Sequence, residues 1–464
     1  MSTMSTPGLL PATLAVIVLA VALGLLGSRF SGALIRPGDG VPHRLVVYGM
    51  SGALVVHLLL MGLDGLGVPW HPLLLAGLLA LVTGLAHSLR PFARARRAVE
   101  PARLPSDLAW GDGLALFAFL VFTCTAVTLW TMTPDFIYHW GIKGHRFFLH
   151  RGVDYAWLAR PWNWPLHPDY PNLLPELFAL GALFAGGFEP HAQMLWTVIF
   201  FLSMLAAARE ALRTAGDRWT AQAALAILGL TSAMFGMGHL MAGGADWMIA
   251  AAFLAALPAL LRPPDRAGDW QIGLAAGFAA SSKIEGTPFA VILAATQLVR
   301  RVMEERRLDW RAALRLGLPP VAVGVPWLAQ VFRHHLFLGS NSGPFELARA
   351  RVIVPALVEA LADPAWHGLS LLVFLGPVLL LVRRTRPVAW VATLQLLFYL
   401  YVYFTAPVEP RGYVLSSFSR LIFHLIPALI VAGGVAVATG GEVVPSPPSP
   451  HQGAGGVVTE TTAL

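Results

Sequence analysis

Residues 134–175 read PDFIYHWGIKGHRFFLHRGVDYAWLARPWNWPLHPDYPNLLP. This stretch lies between long apolar segments and is unlike them. It carries Asp135, His139, Lys143, His145, Arg146, Asp154, His167 and Asp169 among tryptophans, tyrosines and phenylalanines, and prolines interrupt it repeatedly. A charged, aromatic, proline-punctuated loop directly after an apolar run is where a membrane protein can meet a polar substrate. The rest of the chain fixes what kind of loop it is. Of 464 residues, 56% are hydrophobic and only 12% charged, against about 25% charged in a soluble domain. Apolar runs long enough to cross a bilayer, about 20 residues each, recur along the chain.

Apolar length predicts an all-α, polytopic transmembrane bundle of roughly thirteen helices. The expected cores are 8–27, 45–63, 71–88, 110–131, 192–208, 220–240, 246–261, 270–283, 286–300, 316–332, 367–382, 388–405 and 421–438. The run from Leu9 to Leu26 has no basic region before it and reads as a first span, not a cleaved signal. Three regions follow: residues 1–105, with N-terminal spans and a basic loop; a core over 106–439 that includes the loop 134–175; and a tail over 440–464 whose Pro, Gly, Ser and Thr content predicts a disordered cytoplasmic segment. Cys124 is the single cysteine, so no intrachain disulfide can form.

The arginines set the orientation. One set of loops, including those around Arg36, Arg94, Arg213, Arg262, Arg306 and Arg384, holds 22 of the 32 basic residues. The positive-inside rule places these loops in the cytoplasm. The alternation works if 172–187 does not cross, so that segment is expected to be an interfacial or re-entrant helix. The loop 134–175, the turns at Gly243–Asp246 and Lys283–Gly286, and the loop from Pro407 to Arg420 then face outward. The net charge of +7 speaks to this topology and not to nucleic acid.

Only two lysines occur, Lys143 and Lys283, and both fall on the outward side near acids. Ammonium groups there suit a phosphate. Asp135 opens the outer loop and is the candidate general base. Asp246, in GGADWM at the start of a span, is the second candidate acid; its plainer role is to complement the helix dipole. His139, His167, Asp169 and Tyr170 are candidates to orient a substrate, although the prolines of HPDYP equally favour a turn. Glu285 accompanies Lys283 in SSKIEG. Arg420 and His424, at i and i+4 in SRLIFHLIP, share a helix face and are placed to grip a lipid-linked phosphate. His139, His145 and His150, or His334 and His335, have no HExxH or CxxC spacing, so no metal site and no cofactor are expected. No Walker loop occurs.

The order DFIYHWGIK, HPDYPNLLP, GGAD, SSKIEG and SRLIFHLIP resembles the GT-C superfamily of polytopic glycosyltransferases, in particular the bacterial protein mannosyltransferase and aminoarabinose transferase group. The resemblance spans roughly Trp110 to Pro427. It implies a GT-C fold in a bacterial inner membrane, with the active site facing outward. It also implies a polyprenyl-phosphate sugar donor, and a lipid, glycan or protein acceptor approaching from outside the cytoplasm. Asp135 matches the essential acid of the family's first outer loop. Many relatives carry a second acid directly after it, where this chain has Phe136, so Asp246 becomes the candidate partner. SSKIEG is similar to a KNEG-like stretch, with Ile284 at the polar position. The implied reaction is a single displacement with inversion. Asp135 takes the acceptor's proton, and Lys143, Lys283 and Arg420 meet the leaving phosphate. The rival is a transporter or flippase of a lipid-linked or small amphiphilic substrate, whose polar groups would sit on broken helices near the midplane. A third reading is a structural subunit of an envelope complex.

Overall fold

The computed structural model describes residues 7–36, 38–88, 109–129, 133–213, 215–238, 242–338 and 343–440. The arginines expected at 90–103 and the tail at 441–464 lie outside these. Among the described residues the architecture is all helical, without a β-strand. The first helices are α1 (Leu9–Ser31), α2 (Val41–Gly65), α3 (Pro72–Ser88) and α4 (Trp110–Leu129). The loop that decides the fold then begins as a helix. A wide turn over Phe136–Trp140 leads into α5 (Gly141–His150), followed by the short α6 (Tyr155–Leu158). Then come α7 (Leu173–Ala185), α8 (Pro190–Gln193), α9 (Leu195–Leu212), α10 (Arg218–Gly238), α11 (Asp246–Leu260), α12 (Arg266–Ala280), α13 (Gly286–Glu305) and α14 (Trp310–Arg333). The C-terminal part holds α15 (Ala350–Leu361), α16 (Leu375–Leu379), α17 (Arg386–Thr405), α18 (Pro410–Phe423) and α19 (Ile426–Ala438).

Seven helices are long and apolar enough to cross a membrane, or eight if the bent pair of α18 and α19 is one span. These mark an integral membrane protein. Several of the other expected spans take a different form. Residues 367–382 contain a tight 3-10 segment, Leu369–Phe374, joined to the five-residue α16. The expected span 421–438 covers two helices that meet at 42°. Pro427 explains that break, because a proline near a helix start lacks the N–H that would bond back toward Phe423. The segment expected to avoid crossing is the 13-residue α7, whose residues are almost all buried within the protein and not laid along its surface.

The centre is α11. All fifteen of its residues are buried, as expected for a helix apolar around its whole circumference. At about 1.5 Å per residue its ends lie about 22 Å apart. At its C-terminal end, Arg262 bonds Asp39 and Glu210, both at 2.7 Å, and Arg36 bonds Asp265 at 2.6 Å. These pairs gather the α1–α2 connection, α9 and the α11–α12 connection. Asp246 and the outer loop meet at the N-terminal end. Basic connections and acid-led loop therefore sit at opposite ends of one buried helix, as charge alternation requires. Labelling checks this arrangement. In a Cys124→Ser background, Trp162→Cys, at an exposed position of the loop, should react with an impermeant maleimide on intact cells. Arg307→Cys should react only after permeabilisation, and the reverse pattern would invert the topology.

Candidate functional site

The site is assembled by contacts between segments far apart in sequence. The turn after Asp135 is wide: the Gly141 N–H reaches back five residues to the Phe136 carbonyl. A Cβ at Gly141 would lie 2.6 Å from that oxygen, so only glycine fits. Turns of this kind recur at functional sites. Phe136 packs against Gly243, whose φ of 78° and close approach to the Phe136 ring both require glycine. The Thr133 hydroxyl donates to the Ala242 carbonyl at 2.7 Å, and the Gly243 N–H donates to Thr197 Oγ1 at 2.8 Å. These contacts hold the start of the outer loop on the turn that launches α11, which brings Asp135 beside Asp246.

Asp246 is fully buried at the first position of α11. Its Oδ1 accepts from Lys283 Nζ at 2.9 Å and lies 2.8 Å from His424 Nε2. Its Oδ2 accepts from Arg420 at 3.1 Å. The same guanidinium nitrogen donates to Asp135 Oδ2 at 2.7 Å. Lys283 also approaches Glu285 at 3.5 Å. Six candidate residues, Asp135, Asp246, Lys283, Glu285, Arg420 and His424, thus form one network. His424 sits at the break between α18 and α19, and its Nδ1 lies 2.6 Å from the Tyr399 hydroxyl. Burial disfavours the charge on Lys283, but Asp246 and Glu285 outweigh it and hold the ammonium above its ordinary range.

Tyr399 and Gln395 escaped the sequence reading. The Gln395 amide donates to the Glu285 carbonyl at 3.4 Å. The available signal was spacing: Gln395, Tyr399 and Tyr403 recur every four residues along the otherwise apolar α17, a polar stripe that must face the protein interior.

Lys143 is placed differently from expectation. It does not bond to the Asp246 network. Its ammonium donates to the His167 carbonyl at 3.3 Å and stands 4.6 Å from the Trp140 ring centre. The side chain is fully buried, and burial pushes its pKa down to about 7, only partly opposed by Asp169. The three expected cations therefore do not converge: Lys283 and Arg420 meet at Asp246, and Lys143 stands on an aromatic shelf beside Trp140 and Tyr170. On that shelf His139 lies 5.3 Å from His167, which stacks on Tyr170 at 4.4 Å. Burial lowers His139 to about 4 and His167 to about 3, so both are neutral near pH 7. The Asp169 carbonyl accepts from the Trp327 indole at 2.9 Å, which fastens the HPDYP turn to α14.

Four buried polar atoms around this junction lack a partner: His139 Nδ1, His167 Nδ1, Glu285 Oε2 and Arg420 Nε. Together they offer one firm donor, one firm acceptor and two imidazole nitrogens of either kind. Such a set suits hydroxyl groups stacked against the aromatic shelf. Among the described residues, no group of three or more His, Cys, Asp or Glu side chains is arranged to hold a metal ion. A cavity of about 260 Å³ lined by Trp110, Arg218, Trp219 and Gln222 involves none of these residues. No protein-family model, curated protein or solved structure significantly matches the chain.

Two stability measurements follow. Asp246→Asn leaves Lys283, Arg420 and His424 facing a weakened acceptor and should cost about 3–5 kcal/mol in detergent unfolding. Asp135→Asn, which loses one partner, should cost clearly less; equal losses would contradict the central place given to Asp246. Lys143 makes the second case. A lysine whose folded pKa lies below its ordinary 10.5 destabilises the fold fully below about pH 7, and that cost fades as pH approaches 10.5. The midpoint of Lys143→Met relative to the parent should therefore fall steadily from pH 7 to pH 10. A pH-independent difference would show that the amine is charged when folded.

Proposed function

We propose that this protein is a membrane glycosyltransferase. In this reading it moves a sugar from a polyprenyl-phosphate donor to a lipid, glycan or protein acceptor on the extracytoplasmic face of a bacterial inner membrane. Its fold is of the GT-C type with about thirteen spans, the shorter and broken helices included. The observation that carries the reading is the Asp135–Arg420–Asp246 bridge beside an aromatic shelf with unpartnered polar atoms. A candidate base, two cations and a surface suited to a polyol thus adjoin one another.

The network also imposes a condition on the chemistry. Among the described residues, the permanent cations paired with Asp135, Asp246 and Glu285 are Lys283 and Arg420, so the resting site is not an electropositive bowl. A leaving phosphate must therefore gain a cation during the reaction. Asp135 provides the means. Its Oδ2 holds Arg420, and Oδ1 lies outside that bond. As the acceptor hydroxyl attacks the anomeric carbon, Asp135 takes its proton and loses its charge. Its hold on Arg420 weakens, and the guanidinium turns to the phosphate oxygen as the carbon–oxygen bond breaks. Asp246 keeps Lys283 and Arg420 in position throughout. Attack opposite the phosphate inverts the anomeric centre.

The transporter reading keeps one supporting observation: His424, bonded to Asp246, sits where the α18–α19 pair is broken. Broken helices carry the binding groups of many transporters. One preparation separates the two. Purified protein is incubated with a panel of radiolabelled polyprenyl-phosphate sugars and membrane extract as acceptor. Transfer that falls about 10²–10⁴-fold in Asp135→Asn, with the variant still folded, supports the enzyme. Movement of intact lipid-linked sugar across proteoliposomes without transfer would favour the transporter.

A further inference from the structure

Two membrane-spanning helices begin side by side at the end of the bundle that holds the basic connections. Trp110 opens α4, and Arg218 and Trp219 open α10. The Asp112 N–H donates to Gln222 Oε1 at 3.1 Å, which ties the first turn of α4 to that of α10. Arg209, near the end of α9, bonds the Asp112 carboxylate at 2.7 Å. Three helices thus hold the walls of a cavity of about 260 Å³, lined by Ala109, Trp110, Arg218, Trp219 and Gln222. The two indole rings stand 5.9 Å apart. This cavity belongs to the opposite end of the molecule from the Asp246 network.

The side-chain groups left free in this lining are all donors. Gln222 has given its oxygen to Asp112, which leaves its amide N–H groups. The two indole N–H groups and the Arg218 guanidinium donate to no other described group. Both neighbouring acids are already engaged. Asp112 takes Arg209 and the Ala109 N–H. Asp217 takes the Trp219 N–H at 3.0 Å, the Thr220 N–H at 3.2 Å and the Thr220 hydroxyl. Among the described residues the cavity therefore presents one positive charge and several N–H groups, and no unpaired acceptor side chain. Its complement is a negative group with several acceptor oxygens, and a phosphate has that form. The surroundings say where the phosphate comes from. Trp110 is 43% exposed and Trp219 71%, at the first residues of two spans. Tryptophans so placed sit at the membrane–water boundary, the depth of lipid headgroups. The volume falls below the roughly 300–1,000 Å³ of a pocket that encloses a whole drug-sized ligand, and it suits a headgroup whose chains lie outside.

We propose that this cavity binds the phosphate of an anionic membrane phospholipid. Arg218 and the Gln222 amide hold the phosphate oxygens, and the two indoles flank the glycerol. The positive-inside rule assigns the basic end to the cytoplasmic leaflet, where anionic lipids give the surface its negative potential. The charge pattern also makes the site selective. A zwitterionic lipid brings an ammonium that finds no free carboxylate here, because Asp112 and Asp217 are taken. A bound anionic lipid spans the starts of α4 and α10 and braces them beside α9.

The test uses the full chain in detergent, unfolded thermally with dioctanoyl phosphatidylglycerol, dioctanoyl phosphatidylcholine or inorganic phosphate at equal ionic strength. Phosphatidylglycerol should raise the midpoint by about 2 °C or more over phosphatidylcholine. Arg218→Gln and Trp219→Ala should each lose that increment, and Arg218→Lys should keep part of it, since a phosphate also accepts a point charge. Arg307 is exposed elsewhere at the basic end, so Arg307→Gln should keep the whole increment. Equal midpoints with the two lipids, or an increment that Arg218→Gln retains, would overturn the site. An equal loss in Arg307→Gln would overturn it too, by showing a general attraction to basic surface. An increment as large with inorganic phosphate would make the ligand a soluble phosphate and overturn the lipid assignment. If Trp219→Ala fails to fold, Arg218→Gln decides alone. None of these midpoints depends on glycosyl transfer, so the result stands apart from the proposed activity.

Discussion

The carboxylate of Asp246 is the point on which the rest of the structure depends. A charge with no exposed surface, at the head of a helix with no exposed residue, is tolerable only if its partners surround it. Lys283, Arg420 and His424 do so, and the helix dipole adds a favourable field at the N-terminus. The partners come from two parts of the chain: Lys283 from the α12–α13 turn, and Arg420 and His424 from the end of α18 and the break before α19. Satisfying one carboxylate therefore fixes α11, that turn and the α18–α19 break relative to one another. Such a network adds little net stability compared with apolar packing, yet it is expensive to leave half-made. Its contribution is to the uniqueness of the arrangement, which the proposed reaction requires to keep base and phosphate within reach of each other.

Much of this was legible in the sequence because burying charge in an apolar chain is costly. Asp135, Asp246, Lys283, Glu285, Arg420 and His424 stand out against their surroundings for that reason, and all six meet. The helical, membrane-spanning character was legible from apolar length alone. Length also misled. Residues 367–382 are apolar enough to read as a span, but hydropathy does not see the tight 3-10 turn of Leu369–Phe374 or the break that Pro427 imposes. Lys143 shows a second limit. Sequence placed it on the same side as Lys283, but its aromatic surroundings, Trp140 and Tyr170, are set by tertiary packing. The His57–Glu176 pair was hidden because each residue is a lone polar group in an apolar helix. The two side chains meet, 2.6 Å apart, only when α2 and α7 are brought together.

The two ends of α11 divide the labour. At the basic end, Arg262 spans Asp39 and Glu210, and Arg36 closes on Asp265. Those pairs join connections between helices. At the other end the carboxylates outnumber the permanent cations, and polar atoms remain unpartnered. Unpaired buried atoms occur at both ends: Arg36 Nη1, both His43 ring nitrogens and Gln271 Oε1 at the basic end, and His139 Nδ1, His167 Nδ1, Glu285 Oε2 and Arg420 Nε at the other. The balance of charge, not the number of idle atoms, distinguishes the two.

This asymmetry gives Arg420 its significance. One of its nitrogens bridges Asp135 and Asp246 while its Nε has no partner. A guanidinium shared between two acids can transfer its bond between them with little motion, because its charge is spread over a rigid plane. Asp246 is buried and held by three groups, so it keeps its share. Asp135 is held by Arg420 alone among the described ion pairs, so its share is the one that can be released. In the proposed reaction, proton capture by Asp135 releases its share of Arg420 without disturbing the buried anchor. A single side chain then links the proposed base to the counter-charge of the leaving phosphate.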